Sequence, residues 1–250
     1  REGYVRLYEA KMFWHYDHRW STYDGNDTKE LELREKQDPN YYVLPRYWIP
    51  QHEMESRLQS QKSAWLIGFR DVTNATNERT NIFCALPKVA VGHKAPLVFL
   101  CPNSASLKSF FICNQNSIVS DFIARQKIGG TSMGYFILKQ LPALPPQNYS
   151  PAAMSFIVPR VLELTYTAYD LQPFADDLWR EASAEQRALF ERQWLESHRN
   201  FTKKTGESSI PENLATFAPS RFNSPPYVFP YPPFPWDEDR RAVLRAELDA

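Results

Sequence analysis

Short β-prone segments with little chain between them restrict the fold of this sequence more than any other feature. Such segments, rich in β-branched and aromatic residues, occupy residues 4–8, 41–49, 65–72, 80–86 and 96–101. Pro45 in the second segment indicates an edge strand or a bulge. The later connections are too short for repeated helical crossovers, so we expect a mostly antiparallel or mixed sheet.

Apolar residues spaced three and four apart predict helices elsewhere in the chain. Ser106 to Lys127 should form one or two helices that end at Gly129-Gly130, and residues 131–141 are strand-like. Further helices are predicted over residues 151–158, 160–169 and 183–198, and from residue 237 to the end.

Together these segments predict an α+β (mixed α/β) fold in three parts. Residues 1–40 form a linker with a polar, loop-like stretch, residues 41–148 carry a sheet flanked by helices, and residues 149–250 form a helical, Pro-rich C-terminal region. With 8 Gly against 20 Pro and 14% aromatic residues, the loops should be stiff and packed by aromatic side chains. Residues 202–236 predict an extended arm of this kind, packed over another surface.

The cysteine and hydropathy patterns favour a cytoplasmic protein. Cys84, Cys101 and Cys113 are odd in number and form no CxxC pair, which favours buried thiols in a reducing compartment. No apolar run approaches the roughly 20 residues that a membrane span needs, and no signal peptide is visible. We therefore expect no membrane partner.

Charge is distributed unevenly although the net charge is zero. Residues 58–150 contain nine Lys and Arg against three acids, a balance of +6, so the rest of the chain carries −6. A basic region of this size favours a polyanion as partner, and a solvated basic face is the alternative.

Sequence patterns for catalysis are missing from the chain. It has no Gly-rich cofactor turn, and Asp38-Pro39-Asn40-Tyr41 lacks the second Pro of the loop that holds a flipped base in amino-methyltransferases. His15 and His18 could bind a metal only with a third ligand from elsewhere, so a structural segment is favoured. We expect no catalytic residue, metal site or cofactor site in these 250 residues.

Two polar segments contain the candidate binding residues. Arg70 to Thr80 joins two predicted strands and is dense in Arg, Asn and Thr, the side chains that read base edges and contact phosphates. In the structural alternative, its two arginines pair with Asp71 and Glu78 and only stabilise a hairpin. The second segment is a basic helix end that runs into glycines and hydroxyls. The candidate DNA-binding residues are Arg70, Thr73, Asn77, Arg79, Arg125, Lys127, Thr131 and Lys139.

Several segments resemble one known family. They are Leu7 to Met12, Tyr16 to Arg19, Arg70 to Thr80, Asn116-Ser117 with Asp121 to Lys127, Gly129-Gly130-Thr131 and Leu138 to Pro142. Together they resemble the C-terminal half of large adenine-specific DNA methylases of restriction-modification, DISARM and BREX phage-defence systems. The Asn-Ser, Gly-Gly-Thr and Leu-Lys-x-Leu-Pro order also resembles target recognition domains of type I specificity subunits. The resemblance spans about residues 1–170 and the terminal helix. Residues 180–234 depart from it and resemble an insertion.

The resemblance implies that the chain reads DNA sequence for a larger enzyme. On this view, residues 1–40 follow a missing catalytic domain, 41–148 form the target recognition domain, and 149–250 carry the insertion. The parent would be a site-specific adenine-N6 methyltransferase that uses S-adenosylmethionine. Its partners would be double-stranded DNA, the upstream methyltransferase domain in cis and defence-system subunits. The alternative is a protein-interaction module of a defence complex, in which the helical region and the aromatic arm hold a partner.

Overall fold

The β-prone segments contribute to small, separate sheets. A computed structural model describes residues 2–59, 61–206 and 228–250. In this part of the chain three sheets have the orders β4-β1-β7, β2-β3 and β6-β5-β8. All strand pairs are antiparallel except β1 with β7. The strands are β1 Tyr4–Tyr8, β2 Ser21–Asp24, β3 Asp27–Glu30, β4 Trp48–Pro50, β5 Trp65–Phe69, β6 Phe83–Pro87, β7 Ala90–Val91 and β8 Leu97–Val98.

Nine α-helices lie in the described residues beside these strands, so the predicted α+β class is confirmed. They are α1 Leu33–Gln37, α2 Gln51–Arg57, α3 Ala105–Asn116, α4 Ile118–Lys127, α5 Tyr135–Leu138, α6 Pro151–Thr165, α7 Gln172–Glu181, α8 Ala184–Thr205 and α9 Glu238–Asp249. Within the described ranges, none of them combines the length and apolar character needed to cross a membrane.

The chain divides into two compact units. The sheet unit contains residues 2–32, Tyr42–Asn103 and Phe111–Leu144. The helical unit contains Leu33–Tyr41, Ser104–Phe110 and the described residues from Pro145 onward, so the residues of α3 are shared between the units. Residues 2–32 of the predicted linker thus lie in the same unit as the central strands, and Leu33–Tyr41 lie in the other.

Strands β5 and β6 form the centre of the sheet unit. Every residue of both strands is buried, and the pairing runs from Trp65 opposite Pro87 to Phe69 opposite Phe83. Their sequences are almost continuously apolar, as expected for strands covered on both faces. A Cβ at Gly68 would lie 2.6 Å from Leu86 Cδ1, so a larger residue at this position would displace the Leu86 side chain.

Several local predictions were wrong. Of the strand predicted over 41–49, only residues 48 and 49 lie in a strand, β4. The strand predicted over 131–141 contains the one-turn helix α5, because a short apolar run has no period that separates strand from helix. The polar stretch predicted as a loop, residues 24–40, contains strand β3 of the β2–β3 hairpin, because three of the four β3 residues are exposed and so show no apolar pattern. Helix α6 continues through Pro159, although the sequence predicted a break there. Pro159 has no N–H to donate to the carbonyl of Ser155, but Ser155 is exposed.

The aromatic arm packs into the helical unit. Phe229, Tyr231, Phe234 and Trp236 are buried, and the ring of Tyr231 stacks on Trp194 with centroids 5.0 Å apart. The Trp194 indole also donates to the carbonyl of Pro232 at 2.9 Å. Of the predicted arm, the described residues 228–236 pack against helices of their own unit. Residues 202–205 belong to α8, and 207–227 lie outside the described residues.

Candidate nucleic-acid interface

The connection from β5 to β6 is fastened by a buried carboxylate of α4. Asp121 Oδ1 accepts hydrogen bonds from the backbone N–H groups of Thr80 at 2.6 Å and Asn81 at 2.8 Å. Beside it, the Asn116 amide accepts from Phe83 N at 2.8 Å and donates to Phe83 O at 3.0 Å. These bonds satisfy backbone groups that β6 would otherwise leave unpaired. They give Asn116 and Asp121 a structural role.

Arg125 clamps the loop formed by residues 74–79. Its Nε donates to Asp121 Oδ2 at 2.7 Å, while Nη1 donates to Ala75 O at 2.8 Å and Nη2 to Glu78 O at 2.6 Å. The guanidinium therefore uses all three of its nitrogens inside the protein. It holds the loop against the end of α4.

Two other candidate side chains also hold the loop together. The Thr73 hydroxyl donates to Thr80 O at 2.7 Å, and the residue is buried. Arg79 Nη1 donates to Asn116 O at 3.4 Å. Thr73 and Arg79 therefore contribute, like Arg125, to a preorganised loop.

The segment after α4 is attached to the start of the same connection. Thr73 N donates to Thr131 O at 3.2 Å, and Met133 N donates to Asp71 O at 2.7 Å. The Asp71 carboxylate accepts from Lys94 at 2.8 Å and from the Ser132 hydroxyl. Burial opposes the charged form, but these two donors hold the pKa of Asp71 below its ordinary value.

The remaining candidates are all exposed, and we refer to them together as the rim. It consists of the side chains of Asn77, Lys127, Thr131 and Lys139, with the backbone of Gly129 and Gly130. A Cβ at either glycine would meet no atom within 4 Å, so a ligand could approach this backbone closely.

The rim carries two lysines, and two of the three acids of the basic region are already paired inside the protein. Of the three acids between residues 58 and 150, Asp71 pairs with Lys94 and Asp121 pairs with Arg125. The third, Glu78, is exposed. In the described part of the chain no acid pairs with Lys127 or Lys139, so both ammonium groups remain available to an anion.

Arg70 lies apart from the rim. Its guanidinium stacks on Trp14, 4.7 Å from the ring centre, whereas the adjacent Asp71 contacts Lys94 and Ser132. Burial lowers the pKa of Arg70 to about 10.

His15 and His18 are buried, and His15 Nε2 lies 2.9 Å from Asn116 O. The described residues contain no group of three His, Cys, Asp or Glu side chains placed to bind a metal ion. These contacts fit the structural interpretation of the His15 to Arg19 segment.

Sequence reasoning missed the residues that organise this surface, chiefly Asp71, Asn116 and Asp121. A signal was present for Asp121. It is an acid in a strongly basic region, and it lies in the first turn of α4, the helix that begins after the N-cap Ser117. No comparable pattern identified the Asp71–Lys94 pair, whose members are 23 residues apart.

Comparison of the chain with protein-family models, with curated proteins and with solved structures found no match. The relationship to adenine-specific methylases therefore stays a prediction from the sequence.

Proposed function

We propose that the sheet unit binds double-stranded DNA through the rim and reads its sequence for an adenine-N6 methyltransferase. The observation that carries this proposal is the pairing of Asp71 and Asp121 inside the protein, which leaves Lys127 and Lys139 uncompensated on the surface. Lysine ammonium groups on such a surface displace counterions from DNA and supply sequence-independent affinity.

Base reading in this proposal falls to the loop of residues 74–79. Asn77 is exposed at its tip, and an Asn side chain can pair bidentately with the N6 and N7 atoms of adenine. Arg125 fixes the loop backbone from inside through Ala75 and Glu78. A loop that is already ordered loses less conformational entropy when it binds.

The methyl transfer itself is assigned to a domain outside this chain. In the proposed parent protein, an upstream methyltransferase domain binds S-adenosylmethionine and acts on the adenine. The sheet unit then determines which adenine is presented. Cytoplasmic location and assembly with other defence-system subunits belong to the same proposal.

A protein-interaction module is the second candidate, and exposed apolar residues favour it. Ile118, Val119 and Phe122 on α4 are 55%, 65% and 62% exposed, an arrangement typical of a surface that a partner covers. The arm of residues 228–236, in contrast, is buried in its own unit.

Fluorescence anisotropy with labelled duplexes across a range of salt concentrations tests the first proposal. Lys127→Ala and Lys139→Ala should each lower the slope of log affinity against log salt by about one unit, because each loses one phosphate contact. Lys88→Ala is the matched control, since Lys88 is exposed but follows β6 at the end opposite the loop.

Selection from a random duplex pool tests sequence reading with the same protein. The wild-type chain should enrich a motif. Binding with unchanged slopes in both rim variants would remove the rim from the DNA footprint, and selection without any motif would favour the interaction module.

A further inference from the structure

Arg70 has no ion-pair partner among the residues that the structure describes. No described carboxylate or carbonyl accepts a hydrogen bond from its guanidinium, and its Nε is buried without an acceptor. The nearest acid in sequence, Asp71, is already engaged by Lys94 and Ser132. An unpaired and partly buried charge is costly, and its persistence requires an explanation.

The aromatic surface beneath Arg70 is held in a fixed position. Trp14 lies 4.7 Å from the guanidinium, and its ring stacks on Trp20 with centroids 5.4 Å apart. Trp14 N donates to Asp17 O at 2.7 Å and Asp17 N donates back at 3.0 Å, which closes a tight turn.

The turn that carries Trp14 is conformationally strained. Tyr16, inside this turn, has a φ of 59°, a left-handed conformation that is unfavourable for a residue with a bulky side chain. Local strain of this kind persists where the surrounding structure enforces it, and it concentrates at functional sites. The turn therefore fixes the platform on which Arg70 lies.

We propose that Arg70, stacked on Trp14, is a binding position for a phosphate group. The planar guanidinium offers its remaining nitrogens as a fork that matches phosphate oxygens. A phosphate also carries a full negative charge, which can neutralise the charge of the Arg70 guanidinium. The edge of a guanine would satisfy the same fork with partial charges only, so the lack of a counter-charge favours phosphate over base reading at this residue.

The phosphate could belong to a nucleic-acid backbone or to a free nucleotide. Only the first source rests on the proposed function, because a free nucleotide would bind whether or not the rim contacts DNA. Titrations of the full chain with inorganic phosphate, with a nucleoside 5′-monophosphate and with a DNA duplex distinguish the sources. Isothermal titration calorimetry at constant ionic strength is suitable for the two small probes.

Arg70→Met and Arg70→Lys are the test variants. Methionine keeps an apolar stem on Trp14 but removes the charge, and it should weaken phosphate binding about tenfold or more. Lysine keeps the charge without the planar fork, so its affinity should fall between the two. Arg46→Met is the matched control, because Arg46 also lies over an aromatic ring, 5.2 Å from Tyr47, but is exposed.

Each outcome has a defined meaning. A mononucleotide that binds Arg70-dependently and more tightly than inorganic phosphate supports the free-nucleotide source. A duplex whose salt slope falls by about one unit in Arg70→Met, with no tighter mononucleotide binding, supports the backbone source. Phosphate affinity and salt slope that are unchanged in both Arg70 variants overturn the proposal, and so does an altered target motif with an unchanged slope. Failure of the rim variants to alter duplex binding affects only the proposed function.

Discussion

Arg70 in the sheet unit and Arg240 in the helical unit are both partly buried arginines, and they differ in their partners. Arg240 Nη2 donates to Glu163 at 2.9 Å, its Nε also donates to Glu163, and Nη1 donates to Glu196 at 3.1 Å. Burial alone would lower the pKa of Arg240, but the two glutamates raise it above its ordinary value. Burial lowers the pKa of Arg70, and no acid opposes the effect.

The contrast extends to the two units. Ion pairs of the helical unit include Arg160 with Glu247 at 2.7 Å and Lys204 with Asp237 at 2.8 Å. In the described part of the sheet unit, Asp71 and Asp121 fasten a loop, and Arg70, Lys127 and Lys139 form no ion pair. In our proposals, these three cations are the positions at which a ligand binds.

Removing the partner of Arg240 should give the largest effect. Glu163→Ala leaves a partly buried guanidinium without its main acceptor, which should lower the free energy of unfolding by about 3 to 5 kcal/mol. Urea unfolding at neutral pH measures the change. Glu196→Ala is the control, because Glu196 is 58% exposed and its loss should cost less than about 1 kcal/mol. Equal effects of the two variants would contradict the assignment of Glu163 as the essential partner.

His198 should make the helical unit sensitive to acid. It is buried against Trp194, and burial lowers its pKa to about 4 from an ordinary value of 6.5. Below pH 6.5 the His198 imidazole is therefore protonated in the unfolded chain, whereas in the folded chain it stays neutral until about pH 4. Stability from this group is complete above pH 6.5 and decreases by about 3 kcal/mol as the pH falls to about 4.

Urea unfolding at pH 7 and pH 4 checks this expectation by comparison of variants. His198→Asn should lose less stability on acidification than the wild-type protein. His52→Asn, whose histidine side chain is 79% exposed, should behave as wild type. Identical pH dependence of all three proteins would show that His198 is protonated at its ordinary pKa.

Removing Arg70 should have the smallest effect on stability. Arg70→Met loses no ion pair and retains apolar contact with Trp14, so the free energy of unfolding should change by no more than about 1 kcal/mol. Urea unfolding again gives the value. A loss comparable to that of Glu163→Ala would mean that Arg70 is structural, and the contrast between the two arginines would fail.

The sequence predicted the elements that depend on local patterns. The apolar runs predicted β5 and β6, the spacing of three and four residues predicted α3 and α4, and the helix predicted from residue 183 corresponds to α8. Elements without such a signal, the exposed strand β3 with its hairpin partner and the one-turn α5, were missed.

The concentration of basic residues between 58 and 150 and the choice of candidate side chains also came from the sequence alone. Only the tertiary structure decided which of these side chains are available. Arg125 and Lys127 are two residues apart. The Arg125 guanidinium donates hydrogen bonds to Asp121, Ala75 and Glu78, whereas Lys127 is exposed. Ala75 and Glu78 lie 50 and 47 residues away along the chain, and no local pattern records a contact over that distance. The sequence determines which charges a protein carries, but long-range packing determines which of them it neutralises.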